Sequence, residues 1–106
     1  MNKSNHHFIA YVGDPEIHDG VITGFERQGT KTSVTIKTYP GRIITVEFEG
    51  VVSVEANHPV GMMLYALCEM WHLEHRLFVF GNWEDEDDAV LEIIADSLAV
   101  RWDGDT

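Results

Sequence analysis

A single cysteine, Cys68, leaves this chain without an intramolecular disulfide, so its stability must come from packing. One thiol in 106 residues fits a reducing compartment better than an oxidising one. Basic residues are scarce as well: seven lysines and arginines stand against 18 aspartates and glutamates, a formal net charge of −11. Such a field repels phosphate backbones and anionic headgroups, which argues against direct binding to nucleic acid or a membrane surface. Long hydrophobic runs are missing too. The longest, residues 60–68, is far short of the ~20 residues needed to span a bilayer, and no apolar run of signal-peptide length follows Met1. These features predict a cytoplasmic protein of one domain, residues 1–106.

Several chemistries lack their sequence signatures. None of the serines, Ser4, Ser33, Ser53 and Ser97, sits in Gly-x-Ser-x-Gly, and neither a dinucleotide fingerprint nor a phosphate loop is present. No cofactor and no complete metal site is expected. The acidic run 84–88 fails the EF-hand pattern: counted from Asp85, Ala89 takes the place of the third ligand and no glycine follows.

What is present reads mainly as β-structure. Segments 21–26, 32–39 and 42–49 follow at near-regular spacing, as in a β-meander. Thr32, Val34, Ile36 and Thr38 alternate with Ser33, Thr35 and Lys37. Ile44, Val46 and Phe48 alternate with Thr45, Glu47 and Glu49. That period of two predicts a half-buried antiparallel sheet. Gly29 and Tyr39-Pro40-Gly41-Arg42 supply the turns, and residues 51–54 are expected to continue the third strand beyond Gly50. A core strand is expected over 75–80, and a strand–turn–strand over 89–102 with its turn at Ala95-Asp96-Ser97, with a helix as the alternative there because Val90, Ile94 and Leu98 recur at i, i+4 and i+8. Residues 7–12 form a short apolar run that fits either helix or strand.

Residues 59–72 read as a short helix, with a buried strand as the rival reading because the run is short and apolar. Asn57 is a good N-cap, Pro59 suits a first turn, and Val60, Met63, Leu64, Leu67 and Trp71 share one helical stripe. The fold class expected is therefore α+β: a predominantly antiparallel β-meander sheet, forming a partly closed barrel or a sandwich, with one short helix. The order of Gly13-Asp14-Pro15, His18-Asp19-Gly20, residues 61–67, Asn82-Trp83 with its acidic run, and Leu91-Glu92-Ile93 resembles a small bacterial domain family of unknown function. The resemblance implies an α+β domain and a bacterial source, and carries no activity.

Three functional expectations follow. The foremost is an interaction module that binds itself or a basic protein. If the helix turns its stripe to the core, Met62 and Tyr65 are left on the outside, and a partner surface would join them to Trp83, Glu84 and Asp85. The charge is uneven in a way that suits a basic partner: residues 1–82 carry a net −3 and residues 83–106 a net −8. The second expectation is a small-ligand groove between sheet and helix, lined by Trp71, Phe78 and Trp83. The third and least favoured is a hydrolase or metal enzyme. It would use His18 beside Asp19, the helical pair Glu69 and His72, or Glu84, brought together from separate segments.

Overall fold

The computed structural model describes residues 6–13, 15–39, 41–72, 75–82 and 89–103. Nine strands run through them: β1 (His6–Tyr11), β2 (Val21–Gln28), β3 (Lys31–Lys37), β4 (Ile43–Glu49), β5 (Ser53–Asn57), β6 (Leu64–His72), β7 (His75–Asn82), β8 (Val90–Ile94) and β9 (Ser97–Asp103). One 3₁₀ turn, Pro15–Ile17, precedes β2. Strands β1-β6-β7-β8-β5 form one sheet and β2-β3-β4-β9 the other. All their pairings are antiparallel.

The expected meander is β2-β3-β4, in consecutive order. Its inward positions hold: Thr32, Val34, Ile36 and Thr38 are buried, as are Ile44, Val46 and Phe48, but Thr45, expected outside, is buried too. Their register partners across the ladder are also apolar, Ile36 with Ile44 and Val34 with Val46. The five-stranded sheet covers this inner face with Leu64, Leu67, Phe78, Phe80, Leu91 and Ile93. Phe48 from β4 meets Phe78 and Phe80 from β7, with ring centroids 5.2 and 6.0 Å apart.

The α+β expectation is overturned, because the described part of the chain contains no α-helix. Residues 59–72, read as a helix, are a turn followed by β6. The buried positions there are Met62, Leu64 and Leu67. Their spacing changes from two to three because a β-bulge lies between Leu64 and Ala66. A strand with one extra residue thus imitates the i, i+3 step of a helix. Tertiary pairing overrides the helix propensity of Met, Leu and Ala.

The same stretch forms a corner between the sheets. Ile22 N–H donates to the Met62 carbonyl (3.0 Å), Gly61 N–H to Ile22 (2.7 Å) and Leu64 N–H to Gly20 (2.8 Å). Strand β2 therefore passes its backbone bonds on to the entry of β6. A second correction concerns residues 51–54. Gly50, at φ +65°, turns the chain out of β4 rather than letting the strand continue. Val52 then donates to Ile94 (2.8 Å), and β5 becomes an edge of the other sheet. The strand–turn–strand over 89–102 is present as β8 and β9.

Two stability outcomes are expected. Phe48→Ala removes the ring that joins the sheets and should cost about 3–5 kcal/mol in denaturant unfolding. The Thr32 hydroxyl is buried with no hydrogen-bond partner. Thr32→Val keeps its shape and removes the unsatisfied group, so a gain of about 1 kcal/mol is expected, read as a higher urea midpoint at unchanged slope.

Candidate functional site

Strand positions decide which groups can meet. Residues opposite one another in an antiparallel ladder point to the same face. In the four-stranded sheet the outer face is polar, with Lys31 opposite Glu49 and Ser33 opposite Glu47. Lys31 pairs with Glu49 at 3.7 Å and Arg101 with Glu47 at 3.4 Å. One face is thus dry and the other solvated, as expected for an antiparallel sheet with one buried side.

The five-stranded sheet differs, since apolar side chains stand on both of its faces. Leu67, Phe78, Leu91 and Ile93 point into the core. On the opposite side, the register gives one row Tyr11–Cys68–Val79–Glu92–Glu55 and a second row Met70–Leu77–Ile94–Ser53. Cys68 and Leu77 are buried yet lie outside the core cluster. They belong to a second apolar layer, together with half-buried Met70, Val79 and Ile94.

Two tyrosines border this layer. Tyr11 is 67% exposed and Tyr65 is 39% exposed. Tyr65 sits at the bulge, and its ring lies over Gly81. A Cβ on Gly81 would come within 2.9 Å of the phenol Cζ. Glycine is needed there so that the ring can lie flat on the sheet.

Of the residues expected at a partner surface, Tyr65 is on this face. Met62 is not exposed: it is 2% accessible, because the corner with β2 draws it into the core. Trp83, Glu84 and Asp85 lie outside the described residues. Sequence reading missed Tyr11, Cys68, Val79, Leu77 and Ile94 as a group. The signal was present in the near-continuous apolar runs of β6, β7 and β8, which mark strands covered on both sides.

The described members of the expected polar site have partners of their own. His18 Nδ1 donates to the Tyr65 carbonyl at 2.6 Å. Its Nε2 lies 3.8 Å from Asp19 Oδ2. That arrangement ties the turn to β6; it does not orient a base. Glu69 lies elsewhere, held by Arg76 through Nε–Oε2 (2.7 Å) and Nη2–Oε1 (3.1 Å). The Arg76 Nη1 donates to the Asp96 carbonyl at 2.7 Å. Hydrogen bonding to Glu69 is the main reason the guanidinium holds its proton even more firmly than usual. The side chain of His72 and all of Glu84 lie outside the described residues. Among the described residues no group of three or more His, Cys, Asp or Glu could hold a metal ion.

The expected aromatic groove is also rearranged. Phe78 is fully buried in the core, and Trp83 lies outside the described residues. Trp71 lines a cleft of about 190 Å³ with Val52, His75, Arg76 and Asp96. That is smaller than the roughly 300–1,000 Å³ of small-molecule sites. No helix of the described chain is long and apolar enough to cross a membrane.

No protein family, curated protein or solved structure matches the chain. The resemblance in layout to a bacterial family therefore assigns nothing further.

Burial raises the Cys68 thiol above its ordinary pKa of 9.0. A raised pKa means less thiolate, so Cys68 should react with iodoacetamide at pH 8 at least tenfold more slowly in the native protein than in urea. The folded protein also holds this proton more tightly than the unfolded chain. The thiol's contribution to stability is thus complete below the unfolded pKa and is lost as pH rises through the folded one.

Proposed function

We propose that this protein is an interaction module that docks another protein chain on the outer face of its five-stranded sheet. The observation that carries the reading is the contrast between the two sheets. The four-stranded sheet is polar outside, with Glu49 paired to Lys31 and Glu47 to Arg101. The five-stranded sheet has half-buried Val79 and Ile94 there above the buried Cys68 and Leu77, with Tyr11 and Tyr65 exposed at the border of this apolar layer. Surfaces of this kind mark contact sites more often than plain solvent-facing sheet does. With one cysteine, a reducing cytoplasmic setting fits this reading. A small-ligand role for the Trp71 cleft has less support, given its size and given that Arg76 is already bound to Glu69 and Asp96.

Photo-cross-linking tests the reading. A benzophenone amino acid replaces Val79 on the apolar face or, as a control, Thr35 on the outer face of the other sheet. In cells that make the protein natively, position 79 should give a discrete adduct and position 35 none. Adducts from both positions alike, or from neither, would remove the basis for a docking face.

A further inference from the structure

Four strands stand at sheet edges: β1 and β5 in the five-stranded sheet, β2 and β9 in the four-stranded one. An edge exposes a row of unpaired backbone groups, and proteins guard it with bulges, short length or charge. Three of the four edges are guarded. Strand β1 is bulged between Phe8 and Ala10, and β2 between Ile22 and Gly24. Ile22 is also bonded to Gly61 and Met62 on the side away from β3. Strand β5 has only five residues, with Glu55 at its middle. Strand β9 is different. Its seven residues match β4 one for one, from Ser97 opposite Glu49 to Asp103 opposite Ile43, without a shift. It holds no proline, glycine or lysine, and its one cation, Arg101, is paired with Glu47 at 3.4 Å. Its far edge pairs with no strand among the described residues. The packing beneath β9 is open as well. Leu98, Val100 and Trp102 are half-buried, whereas Phe48, Val46 and Ile44 opposite them are fully buried.

We propose that β9 pairs with β9 of a second copy, antiparallel, about a two-fold axis through Val100. This surface is separate from the docking face argued above and stands without it. The register follows from the strand itself. Leu98, Val100 and Trp102 must stay on one side to be buried together, and the pairing centred on Val100 does this while using all seven residues. Val100 then faces Val100 of the second copy and Leu98 faces its Trp102, so the inner apolar layer continues across the axis. On the outer face Arg101 stands opposite Ala99 of the second copy. Beyond that small residue, in the same row, comes Glu47 of the second copy, because Ala99 and Glu47 are opposed in the β4–β9 ladder. With strands about 4.8 Å apart, Arg101 reaches over the alanine towards that carboxylate. Each Arg101 thus stands between its own Glu47 and that of the second copy, and the two-fold axis makes the contact twice. Charge complementarity therefore selects a second copy; a basic strand in the same place would set like charge against Arg101. Both copies use the same edge, so the pairing closes at two and adds no third chain.

Light scattering on the intact protein should show a concentration-dependent dimer. Ala99→Lys sets a lysine against Arg101 of the second copy, twice, while within one chain the new lysine lies opposite Glu47. The variant should weaken the dimer at least tenfold and leave the unfolding midpoint of the dilute monomer unchanged or higher. Ser33→Lys is the control. It makes the same charge change opposite the same Glu47, but from β3, away from the edge. It should weaken the dimer less than threefold. Disulfide trapping reads the register. Val100→Cys should cross-link the two chains readily, and Leu98→Cys, opposite Trp102, at least tenfold more slowly. The parent protein, with its one buried thiol at Cys68, is the blank.

A monomer at every concentration up to about 1 mM would overturn the proposal. Equal weakening by Ala99→Lys and Ser33→Lys would show that the β9 edge is not the contact, and overturn it too. Trapping of Leu98→Cys as fast as Val100→Cys would rule out the antiparallel register and the Arg101 contact with it. A dimer that Val79→Thr weakens and Ala99→Lys does not would put the second copy on the docking face and overturn the edge pairing. Loss of the dimer in Ala99→Lys, with the position-79 adduct intact, would support two separate surfaces.

Discussion

The sandwich depends on the contact of Phe48 with Phe78 and Phe80. Phe48 sits in the four-stranded sheet and the other two rings in β7, at the centre of the five-stranded one. Tilted and edge-on packing at these separations suits the ring quadrupoles. With no disulfide in the described chain, this interlayer contact and the aliphatic residues around it hold the sheets face to face. The remaining links are local. The β2–β6 corner closes one end by backbone bonds, and Arg76 closes the other by joining β6, β7 and the β8–β9 turn.

Much of this was legible from residue type and spacing. Strand β3 keeps a strict period of two, and the inward residues expected of β3 and β4 are buried, although a bulge between Ile22 and Gly24 breaks the period in β2 and Thr45 is buried in β4 as well. Strands β7, β8 and β9 were found as well. The error fell on residues 59–72, where one bulged residue at Tyr65 breaks the period and reproduces helical spacing. A bulge is set by pairing with a distant strand, and no window of local sequence contains that information. The crossover after Gly50 escaped for the same reason, because Val51 and Val52 find their partners at Thr30 and Ile94.

The candidate surface was legible only in part. Tyr65 was placed outside correctly, although on a strand and not on a helix. Met62 was misplaced because its burial depends on bonds from Ile22 and Gly61. Cys68, Val79 and Ile94 come from three strands, and only the register aligns them. Strands β7 and β8 were expected and β6 was read as a helix, and sequence could not say that one of the two apolar sides lies outside the core. Likewise, Glu55 and Glu92 look like unrelated surface acids until β5 is seen to leave the first sheet and pair with β8.

That departure also has a consequence for how the chain acquires its shape. The β2–β3–β4 hairpins close over short loops, so they are the natural early structure. Strand β4 then waits for β9, and β6 for β1, each far away in sequence. Pairings of such long range slow folding to milliseconds or longer, since much chain must be ordered before they form. Until β9 arrives, β4 presents an unsatisfied edge beside its apolar inner face, the combination that invites pairing with the wrong chain. The time spent before β9 joins β4 and β1 joins β6 therefore sets the chain's exposure to aggregation.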